Sequence, residues 1–203
     1  MNTATTSPSD VRTNILATGQ RIMAGKGYSA VGLNEILAAA GVPKGSFYHY
    51  FGSKDAFGEA MLESYFEDYL AELDRTLQQP ALTMAQRLMN YWRAWEASQS
   101  FYDCQGKCLA VKLGAEVADL SEAMRLALRR GTEAIIERLA AAIDAGVADA
   151  SLRIDGAGDS DSVARSLYQL WLGASIMAKI ERTTRPFETA LATTRQILHL
   201  PIR

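Results

Sequence analysis

Hydrophobic positions recur at helical spacing along most of the chain, and no stretch alternates in the two-residue rhythm of a strand. Ile15, Leu16, Ile22 and Met23 predict a first helix, ended by Gly25 to Gly27. Leu33, Ile36, Leu37 and Ala40 fall at i, i+3, i+4 and i+7, one apolar stripe on a second helix of about two turns. Gly41 stops it. Pro43 is preset for the start of a third helix, with Lys44, Gly45 and Ser46 in its first turn, and Phe47 and Phe51, four apart, hold it to the core. A long helix follows from Lys54 to about Gln78, with Phe57, Met61, Tyr65, Tyr69, Leu73 and Leu77 at steps of four, and Pro80 closes it. Met84 to Ser100 is the next, carrying Leu88, Tyr91, Trp92 and Trp95. After a polar break, another runs from Ser121 to about Val147, with Ser121 and Glu122 as its cap. Ala148 to Ser160, rich in Gly, Asp and Ala, is the best loop signal. Asp161 to Thr184 and Pro186 to Leu198 complete an all-α fold.

Leu33 to Lys54, reading LNEILAAAGVPKGSFYHYFGSK, places two short helices around a glycine turn, the layout of a helix-turn-helix DNA reader. The small residues Ala38, Ala39 and Ala40 let the helices cross closely. Phe47 and Phe51 are read as core. Asn34, Lys44, Gly45, Ser46, Tyr48, His49 and Tyr50 remain as candidates for DNA contact. Lys54, with Ser53 as N-cap, opposes the dipole of the long helix by roughly 0.3–1 kcal/mol. A DNA phosphate bound there reverses that penalty. The competing reading makes the aromatics half-buried core and the lysines a solvated face.

Composition and charge narrow the picture. The 203 residues, 48% hydrophobic, suffice for a sizeable core in one or two units. The net charge of −2 argues against a protein that coats nucleic acid without specificity. Its distribution is uneven, because residues 1–54 hold five Lys/Arg against two Asp/Glu while the remainder is acidic. A mildly basic head on an acidic body orients a molecule on DNA. No apolar run is long enough to span a membrane and MNTATTSPSD is not signal-like, so the expected location is cytoplasmic. No Gly-rich phosphate loop or repeat occurs.

The segment KGSFYHYFGSK resembles the DNA-binding motif of the TetR/AcrR family of bacterial repressors, and the likeness extends over almost the whole chain. Residues 1–9 read as a disordered tail, and the likeness implies a helix-turn-helix DNA-binding domain at 10–54 and a ligand-sensing and dimerisation domain at 55–203. It also implies repression by binding double-stranded operator DNA as a homodimer, through a four-helix interface built from the last two helices of each subunit. Their apolar faces, Leu167, Leu170, Trp171, Ala174 and Ala178 and then Phe187, Leu191, Thr194 and Leu198, suit either that interface or plain core. A two-fold dimer sets two reading heads about 34–36 Å apart on one face of the duplex. The chain departs from the family at Gly32, where many members carry a capping Thr or Ser.

Cys104 and Cys108 are the only two cysteines. A structural disulfide is not expected in a cytosolic chain, and the C-x3-C pair supplies only two of the four ligands of a structural zinc site. His49 and His199 lie in unrelated segments, so no metal, cofactor or catalytic residues are assigned. A free cysteine is ordinarily a small buried hydrophobe. Against that, Gly106 and Lys107 suggest a helix start near Cys108, where the dipole with Lys107 and Lys112 lowers a thiol pKa. GKCLAVKLGAEVADLSEAMR and LWLGASIMAKI resemble the electrophile- and oxidant-sensing repressors of the family, which implies that Cys108 is the sensor. Lys179, among Ile176, Met177, Ala178 and Ile180, is either a snorkelling surface residue or a partner for the Cys108 thiolate. The expected inducer is a small reactive electrophile or oxidant, and the long helix carries the change to the head. Two other readings compete. One is a non-covalent ligand in a pocket lined by Tyr91, Trp92, Trp95 and Trp171. The other is a thiol enzyme using Cys108, for which no base is in evidence.

Overall fold

The computed structural model describes residues 8–98, 109–155 and 159–201. Among these residues the secondary structure is helical, in nine segments with no strand. They are α1 (Pro8–Lys26), α2 (Leu33–Ala40), α3 (Lys44–Tyr50), α4 (Lys54–Leu77), α5 (Met84–Ala97), α6 (Leu109–Leu120), α7 (Glu122–Ala148), α8 (Ser160–Glu181) and α9 (Arg185–Ile197).

The ends of these helices follow from local chemistry. α1 begins at Pro8, so Pro8 and Ser9 belong to the helix and not to the tail expected over 1–9; a proline's fixed φ suits a first turn. Thr83 and Gln86 form a reciprocal capping box at the start of α5. The turn after α7 finishes that cap, because Asp149 accepts from the Met84 N–H at 3.0 Å and Ser151 Oγ from the Ala85 N–H at 3.0 Å. α5 ends at Ala97, short of the expected Ser100, and residues 99–108 lie outside the described part. Asp159 caps α8 through the Ser162 N–H at 2.6 Å. α8 ends at Glu181 instead of Thr184 because Arg182 turns left-handed, φ 55°, and donates back to the Ala178 carbonyl.

Two compact units emerge: Met1–Glu67 with Cys104–Arg129, and Asp68–Asp103 with Arg130–Arg203. The division differs from a break after Lys54. α4 and α7 each run unbroken from one unit into the other, and α6 belongs with the N-terminal helices. In the first unit, Ile15, Met23, Val31, Ile36, Phe47, Phe57, Leu62, Leu113 and Val117 have essentially no exposed surface. In the second, α5, α8 and α9 meet at an aromatic cluster. Trp92 stacks on Trp171 at 4.9 Å, and Trp171 on Phe187 at 5.9 Å.

Candidate nucleic-acid interface

The turn between α2 and α3 is built by backbone geometry. Gly41 is left-handed, φ 67° and ψ 30°, a conformation that strains residues with a Cβ. Its N–H reaches the Ala38 carbonyl at 3.3 Å and the Val42 N–H reaches Leu37 at 3.1 Å, the paired bonds of a Schellman ending. Asn14 of α1 adds a bond to the Ala40 carbonyl at 2.9 Å. At the other end of α2, Gly32 supplies no side-chain cap, in keeping with its departure from the usual Thr or Ser.

α3 has seven residues, too few to hold together alone, so its form depends on packing. Phe47 and Phe51 are buried, and with Phe57 of α4 they form a triangle of rings with centroids 5.2–5.5 Å apart. Anchoring these two positions turns the others outward. Lys44, Gly45 and His49 are exposed, Tyr48 is 52% exposed, and Ser46 and Tyr50 are half-buried. The Lys44 ammonium lies 6.0 Å from the Tyr48 ring centroid, and His49 meets Tyr50 edge-on at 4.9 Å. Asn34 is exposed on α2. One short helix thus presents a cation, a phenol and an imidazole on a rigid aromatic base, a set suited to phosphate and base-edge contacts.

Lys54 has a more defined setting than its position in the sequence suggested. Ser53 caps α4 through the Ala56 N–H at 3.0 Å, as expected. The Lys54 ammonium donates to the Tyr28 carbonyl at 3.0 Å and sits 4.3 Å from the centre of the Tyr28 ring. The dipole penalty is therefore offset within the protein, by that carbonyl and by Asp55 in the first turn. Of the ammonium's three donors one goes to Tyr28, which leaves capacity for a phosphate.

Tyr28 is itself held from two sides. Its hydroxyl donates to Asp55 at 3.0 Å. Glu116 of α6 accepts the Tyr28 N–H at 3.0 Å and the Ser29 N–H at 2.6 Å. Burial, and then the bond to Asp55, pushes the Tyr28 phenol well above its usual range. For Glu116, burial raises the carboxyl, but the Ser29 and Tyr28 donors and the Lys112 charge together outweigh it and leave it lowered. Gly27 makes the approach possible: its φ is +90°, and a Cβ there would stand 2.9 Å from Glu116 Oε2. Tyr28, Asp55 and Glu116 were not singled out from the sequence. Arg12 was also missed, and its guanidinium lies 5.5 Å from the Phe51 ring centroid.

The remaining candidates divide between the described and undescribed parts. Cys104 and Cys108 lie outside the described residues, and α6 is described from Leu109, the next residue. Lys179 is half-buried in the last turn of α8. Tyr91, Trp92, Trp95 and Trp171 do come together, but as buried rings packed on one another. Trp95 donates to Ser175 Oγ at 2.9 Å, Trp171 to Thr194 Oγ1 at 3.0 Å, and Tyr91 pairs with the Tyr69 hydroxyl at 2.8 Å. Contacts among themselves make these four part of the core, not an open pocket lining. Among the described residues no cluster of three or more His, Cys, Asp or Glu is placed to hold a metal, and no helix is long and apolar enough to cross a membrane.

A glycine-turned pair of short helices, with an anchored and outward-facing second member, defines a helix-turn-helix DNA-binding regulator. Residues 15–61 match the family described as bacterial regulatory proteins, tetR family, and residues 85–194 match the tetracyclin repressor-like C-terminal domain. The chain is 41% identical over 192 residues to the HTH-type transcriptional repressor NemR of Escherichia coli (strain K12), covering 95% of this chain and 96% of that protein. It is 34% identical over 188 residues to the HTH-type transcriptional repressor DhaR of Mycobacterium sp. (strain GP1), covering 93% and 92%. The crystal structure of the reduced form of E. coli NemR superposes with a TM-score of 0.88, covering 96% of this chain and 100% of that one. The chain belongs to the TetR family of bacterial regulatory proteins.

Proposed function

We propose that the chain is a transcriptional repressor, homodimeric through α8 and α9, which leaves its operator when a reactive electrophile or oxidant modifies Cys108. The observation that carries this reading is near-full-length identity of 41% to a transcriptional repressor whose crystal structure is described as a reduced form. A form named for its redox state fits a protein whose state depends on a thiol. In this chain Cys108 opens the C-L-x-V-K-L run, directly before α6. Lys44, Tyr48 and His49 are the base-edge and phosphate donors, and Lys54 is a backbone phosphate contact.

The chemistry starts from the thiolate. Its sulfur forms a bond to the β-carbon of an electron-poor alkene, and the resulting enolate takes a proton from solvent. Moving the protein from nearly all bound to nearly all free takes about 5.5 kcal/mol of differential stabilisation, within reach of a covalent change. The residue ranges of α4 and α7 each include residues of both units.

The test uses an operator duplex selected by the protein from a random-sequence library. In a gel shift, p-benzoquinone or hypochlorite releases the parent protein, and a Cys108→Ser variant stays bound. Release of that variant at the parent's dose means that Cys108 is not the sensor. Adduct mass after p-benzoquinone, or oxidation mass after hypochlorite, at Cys108 separates this route from a non-covalent ligand.

The dimer reading rests on the surface of α8. Ile176, Met177 and Ile180 are 49%, 43% and 68% exposed, and Gly173, also exposed, allows a close helix approach. A groove between α8 and α9, lined by Leu170, Gly173, Met177, Pro186 and Thr189, continues that face. The expected mass in solution at micromolar concentration is that of two chains, and Ile180→Glu shifts it toward one. A parent protein that sediments as a monomer at that concentration contradicts this assembly.

A further inference from the structure

We infer that Glu116 is a positioning residue for DNA binding: from α6 it holds the Tyr28–Ser29 backbone, and through Tyr28 it sets where the Lys54 ammonium meets a DNA phosphate. The inference rests on the reading of Lys54 as a phosphate contact. All the groups lie within one compact unit. Glu116 takes two successive backbone N–H donors, Tyr28 at 3.0 Å and Ser29 at 2.6 Å, and so restrains the orientation of both peptide groups. The carbonyl of Tyr28 then accepts from Lys54 at 3.0 Å while its ring lies under the same ammonium at 4.3 Å.

Within the loop the Tyr28 carbonyl also accepts from the Val31 N–H, but at 3.4 Å, longer than either bond to Glu116. Gly27, at φ +90°, is free to rotate where most residues are not, so without the carboxylate the loop has a hinge at its base. The Tyr28 side chain is 5% exposed and tied to Asp55, so the ring has an anchor of its own. Loss of Glu116 therefore acts mainly on the backbone carbonyl and the ammonium it directs. A long, flexible lysine is normally a loosely placed charge. Here it is aimed, and the aim comes from a helix that begins at the residue after Cys108. The carboxylate thus links the sensor-side helix to one specific phosphate contact.

Glu116→Gln keeps the shape of the side chain but turns one acceptor into a donor facing an N–H. On the selected operator duplex, Lys54→Ala is expected to make the slope of log affinity against log salt shallower by about 0.9 per reading head, one phosphate contact each. E116Q is expected to lower affinity about tenfold and to reduce the slope by a similar amount. In the K54A background E116Q is expected to have little further effect, because both changes remove the same contact. Thermal melts identify folded variants, and if E116Q does not fold, E116D carries the same cycle. Additive effects, or a parent-like slope in the folded Glu116 variant, overturn the inference and leave the Lys54 reading standing. A parent-like slope for K54A overturns both.

Discussion

Trp171→Ala is expected to destabilise the protein by about 3–5 kcal/mol, measured as a fall in the urea midpoint of the C-terminal unit. Trp171 has no exposed surface and lies between Trp92 on α5, at 4.9 Å, and Phe187 on α9, at 5.9 Å, so one indole joins three helices. Truncation opens a cavity and also removes the donor to Thr194 Oγ1 at 3.0 Å. Thr194 still donates to the Ala190 carbonyl at 2.7 Å, so the added polar loss is small and the cavity dominates. A change under about 1 kcal/mol would mean that the three helices close over the gap, and that the cluster is not the centre of this core.

The second large effect is expected at Phe47→Ala, also about 3–5 kcal/mol, but expressed as loss of operator binding. Phe47 is fully buried and touches Tyr48, Phe51 and Phe57 at ring distances of 5.2–5.5 Å. α3 is shorter than any helix that persists in water by itself, so removing its anchor releases the face that carries Lys44, Tyr48 and His49. Operator affinity should fall by more than tenfold, and hydrogen exchange should rise through residues 44–50. Parent-like affinity in this variant would show that α3 is held by something other than the phenylalanine triangle.

The contrast between these sites and the Tyr28–Glu116 group shows how far sequence reading reaches. The helix-turn-helix was legible because its determinants are local: Gly41 must turn left-handed, Pro43 precedes a helix, and Phe47 and Phe51 share a face at i, i+4. The Ser53 cap on α4 was legible for the same reason, as a residue three before the N–H it accepts. The end of α8 was not. Arg182 takes a conformation usually left to glycine, and nothing in ERTTR announces it. Tyr28 and Glu116 are 88 positions apart, with no periodicity linking them.

The aromatic residues make the same point at the level of packing. Helical spacing put Tyr91, Trp92 and Trp95 on one side of α5, but spacing is blind to whether a stripe faces a cavity or another stripe. Only the stacking of Trp92 on Trp171, from a helix some eighty residues later, made the group a core.

By itself, then, the sequence determined the helical class, the glycine turn and the outward facing of Lys44, Tyr48 and His49 on α3, since each depends on neighbours within about one turn. The tertiary structure decided which aromatics pack together, that α6 joins the head, and that Lys54 is aimed by Tyr28 under Glu116. Those outcomes depend on groups distant in the chain meeting at hydrogen-bond or van der Waals range, which only the folded path of the backbone brings about.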